Sequence, residues 1–459
     1  MVPEVKKKVI DNGLCIGCGI CVSECPSNSL KMKWNHIGIY EPTVVQPCNG
    51  SGNCINVCPF NPDPEKEVED ENKILYKTSD IRISGKKVLG YYNELFIGYS
   101  VNHRENSSSG GIATWILQQL LEDKVVDAVY TVGSSNGDDY FGYKKVYSIA
   151  DLLENSKTKY YPVNMESMME EIENSNDKVA ITAVPCYIKA IKLKLIKNPV
   201  LCEKIIFTIG IICGGMKSKY FTDYLLSRLK LDGEKASELS YRNKDYLSSA
   251  NDYSFSSKSN GKIHSIKMKS VGDMWGTGLF KPNACDFCDD IFGELADVSV
   301  GDAWLPPYVY DGKGNNVVIS RSGMAQKLLN KGKSEKQLIL DKISYEQAFQ
   351  TQRGNYNHRR IGLRYRLQLA KRQKIHIGPK RENPSYFINP FFILVQRQRI
   401  KVRSLSFRIW SKSRNAQEFD KAISPELHKL TRYTKIYHLS KYFNPMYYFR
   451  RLIFLFHHH

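Results

Sequence analysis

The run Cys15-Ile-Gly-Cys18-Gly-Ile-Cys21-Val-Ser-Glu-Cys25-Pro26 decides how this chain is read. Its C-x2-C-x2-C-x3-C-P spacing puts three thiolates on one tight loop, enough for three corners of a [4Fe–4S] cube. The fourth Cys, turned away by the proline that follows it, serves a second cluster nearby. Gly17 and Gly19 let the backbone wrap close to the metal, where a side chain would clash. Unconnected thiols or a zinc site are the alternatives, and zinc sites rarely use this three-step spacing.

A second copy reads Cys48-Asn-Gly-Ser51-Gly-Asn-Cys54-Ile-Asn-Val-Cys58-Pro59, in the same register but with Ser51 in place of the second thiol. Cross-ligation then gives one complete set, Cys15, Cys18, Cys21 and Cys58, and one deficient set, Cys25, Cys48 and Cys54. Three thiolates suit a [3Fe–4S] cluster, or a [4Fe–4S] cluster with Ser51 or solvent on the odd iron. Residues 1–75 are therefore expected to form a ferredoxin-type 4Fe-4S domain of α+β build. Pro62, Pro64 and the acidic run behind them read as its exit linker.

With 42% hydrophobic and 25% charged residues, disorder and fibrous repeats are excluded as the main state. At roughly 150 residues per domain, 459 residues suit about three domains. Met1–Gly13 is Lys-rich with no apolar core behind it, and the longest apolar run, Ile205–Met216, is far short of the roughly 20 residues that span a bilayer. A cytoplasmic location is expected, where thiols stay reduced and the 12 Cys read as metal ligands rather than disulfides. The formal charge of +19 is concentrated. Residues 351–459 hold 24 Lys/Arg against four acids (Glu382, Glu418, Asp420 and Glu426), whereas the first 350 hold 42 against 43.

Five Cys lie beyond the N-terminal module. Lys178–Val184 is a β-rich run ending at Pro185-Cys186, and Ile205–Ile212 is an apolar run ending at Cys213-Gly214-Gly215. Both thiols fall at the carboxyl ends of expected parallel strands, the edge where α/β proteins seat ligands. With Cys285-Asp-Phe-Cys288 they make a chemically sensible four-thiolate set. The alternative is that Cys186 and Cys213 are inert buried thiols; Cys202 has no such context and reads as structural. Ser107-Ser108-Ser109-Gly110-Gly111 leads into an amphipathic helix over 112–123, with Ile112, Ile116 and Leu120 four apart. Its N-terminus offers unpaired N–H groups and hydroxyls, a seat for phosphate. Taken alone, the motif is better read as a Ser N-cap on a surface helix.

The order of the motifs adds more. After the cysteine module come the Ser-Ser-Gly-Gly helix, Thr158-Lys159-Tyr160, Val184-Pro185-Cys186, Ile212-Cys213-Gly214 and Tyr241-Arg242-Asn243-Lys244. Cys285-Asp-Phe-Cys288 and Ala296-Asp-Val-Ser-Val-Gly-Asp302-Ala-Trp304 close the series. It resembles the coenzyme F420 hydrogenase/dehydrogenase beta-subunit family over roughly residues 10–325, most specifically from the C-x2-C pair to Gly-Asp-x-Trp. The resemblance implies, for residues 76–350, an α/β flavin-binding core that holds FAD and an iron–sulfur cluster. It implies Ser109, Gly110, Gly111 and Lys159 as flavin phosphate contacts, although Lys159 reads equally well as a surface lysine. Asp302 either orients a cofactor or caps a turn.

Archaeal members of that family use coenzyme F420, relatives act on other substrates such as chlorophyll derivatives, and many bacterial members lie among genes for cell-surface polysaccharide biosynthesis. This chain departs from the family pattern twice. Ala183-Val184-Pro185-Cys186 stands for the usual Gly-Thr-Pro-Cys, and Cys213-Gly214-Gly215 for Cys-His-Gly. The Cys positions survive, so cluster binding carries over while substrate specificity does not. No residue reads as a catalytic acid or base, because hydride chemistry belongs to the flavin. The expected function is an electron relay. The ferredoxin module exchanges single electrons with a redox protein or small donor, the core cluster passes them inward, and FAD delivers hydride to F420 or another small or lipid-linked substrate. The alternative is a non-enzymatic electron-transfer subunit linking a hydrogenase or dehydrogenase to a redox partner.

From residue 351 a mainly helical, basic and aromatic tail is expected. Asn389-Pro390 and Asn444-Pro445 each read as a helix start, the second within Tyr442–Phe456. Basic residues from Arg397 to Arg414 beside aromatics suit an anionic membrane, at its inner face, or an acidic protein partner. A solvated basic cap is the other reading. Nucleic acid is not expected, since no nucleic-acid fold motif accompanies the charge.

Overall fold

The computed structural model describes residues 1–64, 88–135, 137, 139–231 and 236–442. The acidic run after Pro64 and the Asn444-Pro445 helix start lie outside the described residues. In the N-terminal module the first cysteine loop leads into the short helix Ile20–Ser23 and the second into Asn53–Asn56. Between them runs an antiparallel hairpin of β1 (Leu30–Trp34) and β2 (Tyr40–Val44). Its alternation buries Leu30 and Met32 and leaves Lys31 and Lys33 outside.

The core is built on a large mixed sheet. In chain order its first strands are β3 (Glu94–Ser100), β4 (Ala128–Ser134), β5 (Phe141–Val146), β6 (Val179–Ala183) and β7 (Ile205–Ile211). A separate antiparallel sheet follows, of β8 (Ser237–Asn243), β9 (Ser254–Ser259) and β10 (Lys262–Lys267). The strands β11 (Val298–Asp302), β12 (Asn316–Ser320) and β13 (Leu338–Lys342) complete the large sheet, ordered β13-β3-β12-β11-β7-β6-β4-β5. Its centre, β4, β6, β7 and β11, is parallel, and antiparallel strands finish both sides.

The parallel strands are apolar on both faces because both faces are covered. Val129, Ala180 and Ile209 pack under the helices Ile112–Glu122 and Gly323–Ser334. Ala128, Tyr130, Val179 and Ile181 pack on the other side with the helix Pro185–Lys197 and with Val5, Val9 and Ile16 of the cysteine module. That module is also pinned by polar contacts. Met165 N–H donates to the Cys18 carbonyl at 2.8 Å. Lys194, fully buried, holds Glu24 at 2.5 Å and Glu173 at 2.6 Å.

The C-terminal part is helical, as expected, over Gly362–Arg372, Pro390–Ser413 and Ala416–Tyr442. Asn389 caps the second of these, its Oδ1 accepting from Phe391 N at 2.9 Å and Phe392 N at 3.3 Å. No helix among the described residues is long and apolar enough to cross a membrane.

The basic excess is only partly a surface feature. Arg359, Arg360, Arg366 and Arg399 are buried. They and their neighbours meet acids and carbonyls of the core. Arg366 Nε donates to the Asp286 carbonyl at 2.7 Å, Arg403 pairs with the Asp286 carboxylate at 3.0 Å, and Arg360 Nη1 donates to the Asp289 carbonyl at 3.2 Å. A buried charge persists only where such partners meet it, so residues past 350 form part of the core's wall.

Candidate functional site

The two cysteine loops aim backbone N–H groups at sulfur. Gly17 N–H donates to Cys15 Sγ and Gly50 N–H to Cys48 Sγ, each at 3.3 Å. These donors suit the negative charge that a thiolate-bound cluster carries. Cys15, Cys18, Cys21 and Cys58 form one electrostatic neighbourhood. Burial pushes their thiols up, Cys18 to about 11 and Cys58 to about 12, and neighbouring sulfurs add to the rise at Cys15, Cys21 and Cys58. Cys54 responds instead to Cys25 and Cys48. Cys54 also acts on Cys21 and Cys58, so it stands between the two loops' thiols. Ser51 is exposed, its N–H on Asn49 Oδ1 at 3.1 Å. Among the described residues no three His, Cys, Asp or Glu side chains converge tightly enough for a single ion; a cube carries its thiolates on separate irons and makes no such demand.

A third thiol group forms in the core. Cys186 lies in the first turn of the helix after β6, Cys213 just after β7, and Cys285 and Cys288 in and beyond the turn Asn283–Asp286. Burial raises the Cys186 pKa, and Cys288, Cys213 and Cys285 raise it further, so the four sulfurs are neighbours. Gly215 N–H donates to Cys213 Sγ at 3.3 Å and Met216 N–H to Cys285 Sγ at 3.4 Å. Arg359 closes the group, with Nη2 donating to Cys288 Sγ, Nη1 to the Cys213 carbonyl, and Nε to the Cys288 carbonyl at 3.3 Å. Sequence reasoning missed Arg359, since it stands in the basic stretch with no spacing that ties it to a Cys. Cys202, expected to be structural, is exposed.

Tyr187 links the groups. Its hydroxyl donates to the Val163 carbonyl at 2.7 Å and the Ile16 carbonyl at 3.3 Å, and after burial the charges of Cys18 and Cys186 both raise its pKa. Burial, then the same two sulfurs, also raises the Tyr143 pKa. Cys54, in turn, neighbours Cys21 and Cys58. Each group thus neighbours the next, from the module to the core.

The core group borders a cavity of about 1090 Å³ over the carboxyl ends of β4, β6, β7 and β11, with Cys213 in its wall. Pockets for drug-sized ligands are commonly about 300–1,000 Å³, so there is room for a large cofactor. Ser109, Gly111, Lys159 and Asp302 all line it. Gly110 does not; a Cβ there would lie 2.6 Å from the Gly98 carbonyl oxygen and 2.8 Å from Asn316 N, so this glycine lets β3 and β12 approach the turn.

The serines do not cap the helix. Gly111, at φ +79°, is its N-cap, and Asn316 Oδ1 accepts from Ile112 N–H at 3.2 Å. Ser109 Oγ donates to the Asn315 carbonyl at 2.9 Å, Ser108 Oγ accepts from Thr158 N–H at 2.8 Å, and Ser107 Oγ is buried without a partner. Ala113 and Thr114, in the first turn, face the cavity. Lys159 is half-buried and tied to the backbone. Its Nζ donates to the Asn155 and Ser156 carbonyls, both at 2.5 Å, and burial, then Lys157, lowers its pKa to about 7. Asp302 pairs with Arg242 at 2.6 Å, leaving Asp302 Oδ1 and Arg242 Nε buried without hydrogen-bond partners. Arg242 belongs to the motif series, but nothing in its local pattern marks it for the cavity. Unsatisfied donors at a helix start and an acceptor opposite suit a ligand with phosphates and polar ring edges.

Thiol groups that succeed one another up to a ligand-sized cavity are the plan of an iron–sulfur oxidoreductase. Residues 14–61 match the model of a 4Fe-4S dicluster domain. Residues 95–170 and 176–346 match the N-terminal and C-terminal models of the coenzyme F420 hydrogenase/dehydrogenase beta subunit, and the chain belongs to that family. It is 24% identical over 355 residues to a subunit of the F(420)H(2) dehydrogenase of Methanosarcina mazei, covering 74% of this chain and 88% of that one. It is also 24% identical over 355 residues to a coenzyme F420-dependent sulfite reductase of Methanocaldococcus jannaschii, covering 73% of this chain and 48% of that protein, about half its length. A chain of the F420-reducing [NiFe] hydrogenase complex from Methanosarcina barkeri superimposes with a TM-score of 0.48 at 18% identity, covering 64% of this chain and 98% of that one.

Proposed function

We propose that this protein is an FAD-dependent oxidoreductase whose three thiol groups carry clusters relaying single electrons to the cavity. The carrying observation is the placement of Cys213, which belongs to the core thiol group and to the cavity wall at once. When bound, FAD supplies the exchange between single electrons and hydride. The chain's own residues would do the rest. Ser107, Lys159 and the first turn of the helix Ile112–Glu122 hold phosphate, while Asp302, fixed by Arg242, accepts from the ligand with its free Oδ1. Tyr160 and Trp275, edge to face at 4.6 Å, wall off water. Coenzyme F420 is the acceptor or donor favoured by the names of both relatives, and a redox protein partner is favoured by one of them being part of a dehydrogenase. The exposed Arg397, Lys401, Arg408 and Lys412 of the helix Pro390–Ser413 would serve an acidic partner or an anionic membrane.

Anaerobically purified protein should be yellow-brown and release FAD on denaturation, and Lys159→Met should retain distinctly less of it. No flavin after reconstitution would remove the flavin reading. An FAD-containing protein that passes electrons between two proteins but reduces no small acceptor would leave the non-enzymatic relay.

A further inference from the structure

The cavity wall beside the core thiols gathers the cations Lys217, Lys281 and Arg399, with Asp273 in the same wall and Asp286 behind it. Lys217, 4% exposed, rests its Nζ on the Met274 and Leu279 carbonyls, both at 2.6 Å, and lies 4.7 Å from the Trp275 ring. No carboxylate among the described residues is within ion-pair distance of it. Arg399, 8% exposed, reaches the Trp275 carbonyl with Nη2 at 3.4 Å, while its Nη1 is buried without a partner. The nearest buried acid, Asp286, is already held by Lys281 at 2.5 Å and Arg403 at 3.0 Å. A Cβ on Gly278 would lie 3.9 Å from both Arg399 Nη2 and Lys281 Cε, which places Arg399 beside that occupied pair.

His358 adds a neutral donor. Gln396 Oε1 accepts from Arg366 Nη1 at 2.5 Å, which leaves the Gln396 amide nitrogen to donate to His358 Nδ1 at 3.1 Å. The imidazole proton is therefore on Nε2, and the residue lines the cavity. Burial, then Arg399 and Lys281, hold its pKa well below the usual range, so the ring stays neutral. Lys217 shows the same strain, its pKa lowered by burial and then by Lys281. Buried cations without counter-charge are costly unless an anion meets them.

We propose that Lys217, Arg399 and His358 form an oxyanion-binding pole that holds a phosphate or carboxylate group of the substrate. The proposal rests on the cavity being the substrate site of an oxidoreductase, and it adds the substrate's chemical class and the source of selectivity. Arg399 and His358 come from beyond residue 346, where the family match ends. The C-terminal helices would thus select the substrate for a core shared with the family. The pole's charge neighbours are Lys281, Asp273 and Cys285, whereas Lys159 answers to Lys157, so the cavity has two separate positive ends.

The test is anaerobic calorimetric titration of inorganic phosphate and, separately, malonate into the full-length reconstituted protein. Saturable binding of either is expected, and the stronger one names the group. Arg399→Gln should weaken it by at least about tenfold, and Arg399→Lys, which keeps the charge, by less, with flavin and iron content unchanged in both. No saturable binding of either anion by the wild type would overturn the proposal. So would equal weakening by the Lys and Gln variants, or loss of flavin together with anion binding, which would make the pole part of the cofactor seat. A wild-type protein without flavin would remove the flavin reading alone, since the titration decides the pole without it.

Discussion

In the first cysteine loop Gly17 and Gly19 take φ of +71° and +85°; in the second, Gly50 and Gly52 take +81° and +72°. Each loop leads into a four-residue helix, and each aims the N–H two residues on at sulfur from 3.3 Å. Their surroundings differ. Cys18 and Cys21 are buried against the core, with Tyr187 behind them, while Asn49 and Ser51 are exposed. The same local chemistry therefore stands in two settings: under the proposed cross-ligation, four thiols lie toward the core, and three lie beside the exposed Ser51. An inner group has no water to replace a missing ligand. The outer one does, which is where a Cys-to-Ser exchange is tolerable.

That contrast is open to attack by substitution. The largest effect is expected from Cys58→Ser, which removes an inner thiol. It should cost about four irons per chain and slow electron delivery to the core at least about tenfold, whereas Cys48→Ser should cost only the outer iron. Iron analysis with donor-to-acceptor kinetics would show it, and equal losses would end the inner–outer distinction. Next is Lys194→Met, which strips the buried cation from Glu24 and Glu173. Unfolding should be easier by about 3 kcal/mol, the low end for a broken buried pair because both acids are part-exposed. Proteolysis should then cut between module and core sooner than in the wild type.

The glycines sharpen the comparison further. An alanine at Gly17 would put Cβ 2.6 Å from the Tyr40 carbonyl oxygen, whereas one at Gly52 meets nothing within 4 Å. Left-handed backbone alone costs about 1–2 kcal/mol, so Gly52→Ala should lose about 1 kcal/mol and Gly17→Ala about 3 kcal/mol in chemical denaturation of the iron-loaded protein. Similar losses would mean that the first loop is not docked as closely as Tyr40 requires. The smallest effect on stability belongs to Ser51→Cys. It should add about one iron and abolish any three-iron paramagnetic signal of the oxidised protein. Identical iron content and spectra in both forms would refute a deficient outer cluster.

Much of this was legible along the chain because it is local. The two cysteine loops follow from spacing, the helix from residue 112 from the fourfold repeat of Ile112, Ile116 and Leu120, and the strand ends from apolar runs ending at Cys186 and Cys213. Gly110 shows the limit. Its motif pointed at a phosphate, and its surroundings show a packing glycine pressed on Gly98 and Asn316.

The basic stretch shows the larger limit. As composition it was a surface charge, and in the fold Arg359 lies on Cys288, Arg366 on the Asp286 carbonyl, and Arg399 in the cavity wall. By itself, then, the sequence determined the cluster loops, the parallel strands and the thiols at their ends, all of which are set by neighbours within a few residues. The tertiary structure alone decided which charges are buried, that Lys159 lines the cavity, and that His358, Arg399 and Lys217 share its wall. The reason is physical: burying a charge depends on partners that are brought together only when segments more than a hundred residues apart, as Lys217 and Arg399 are, pack against each other.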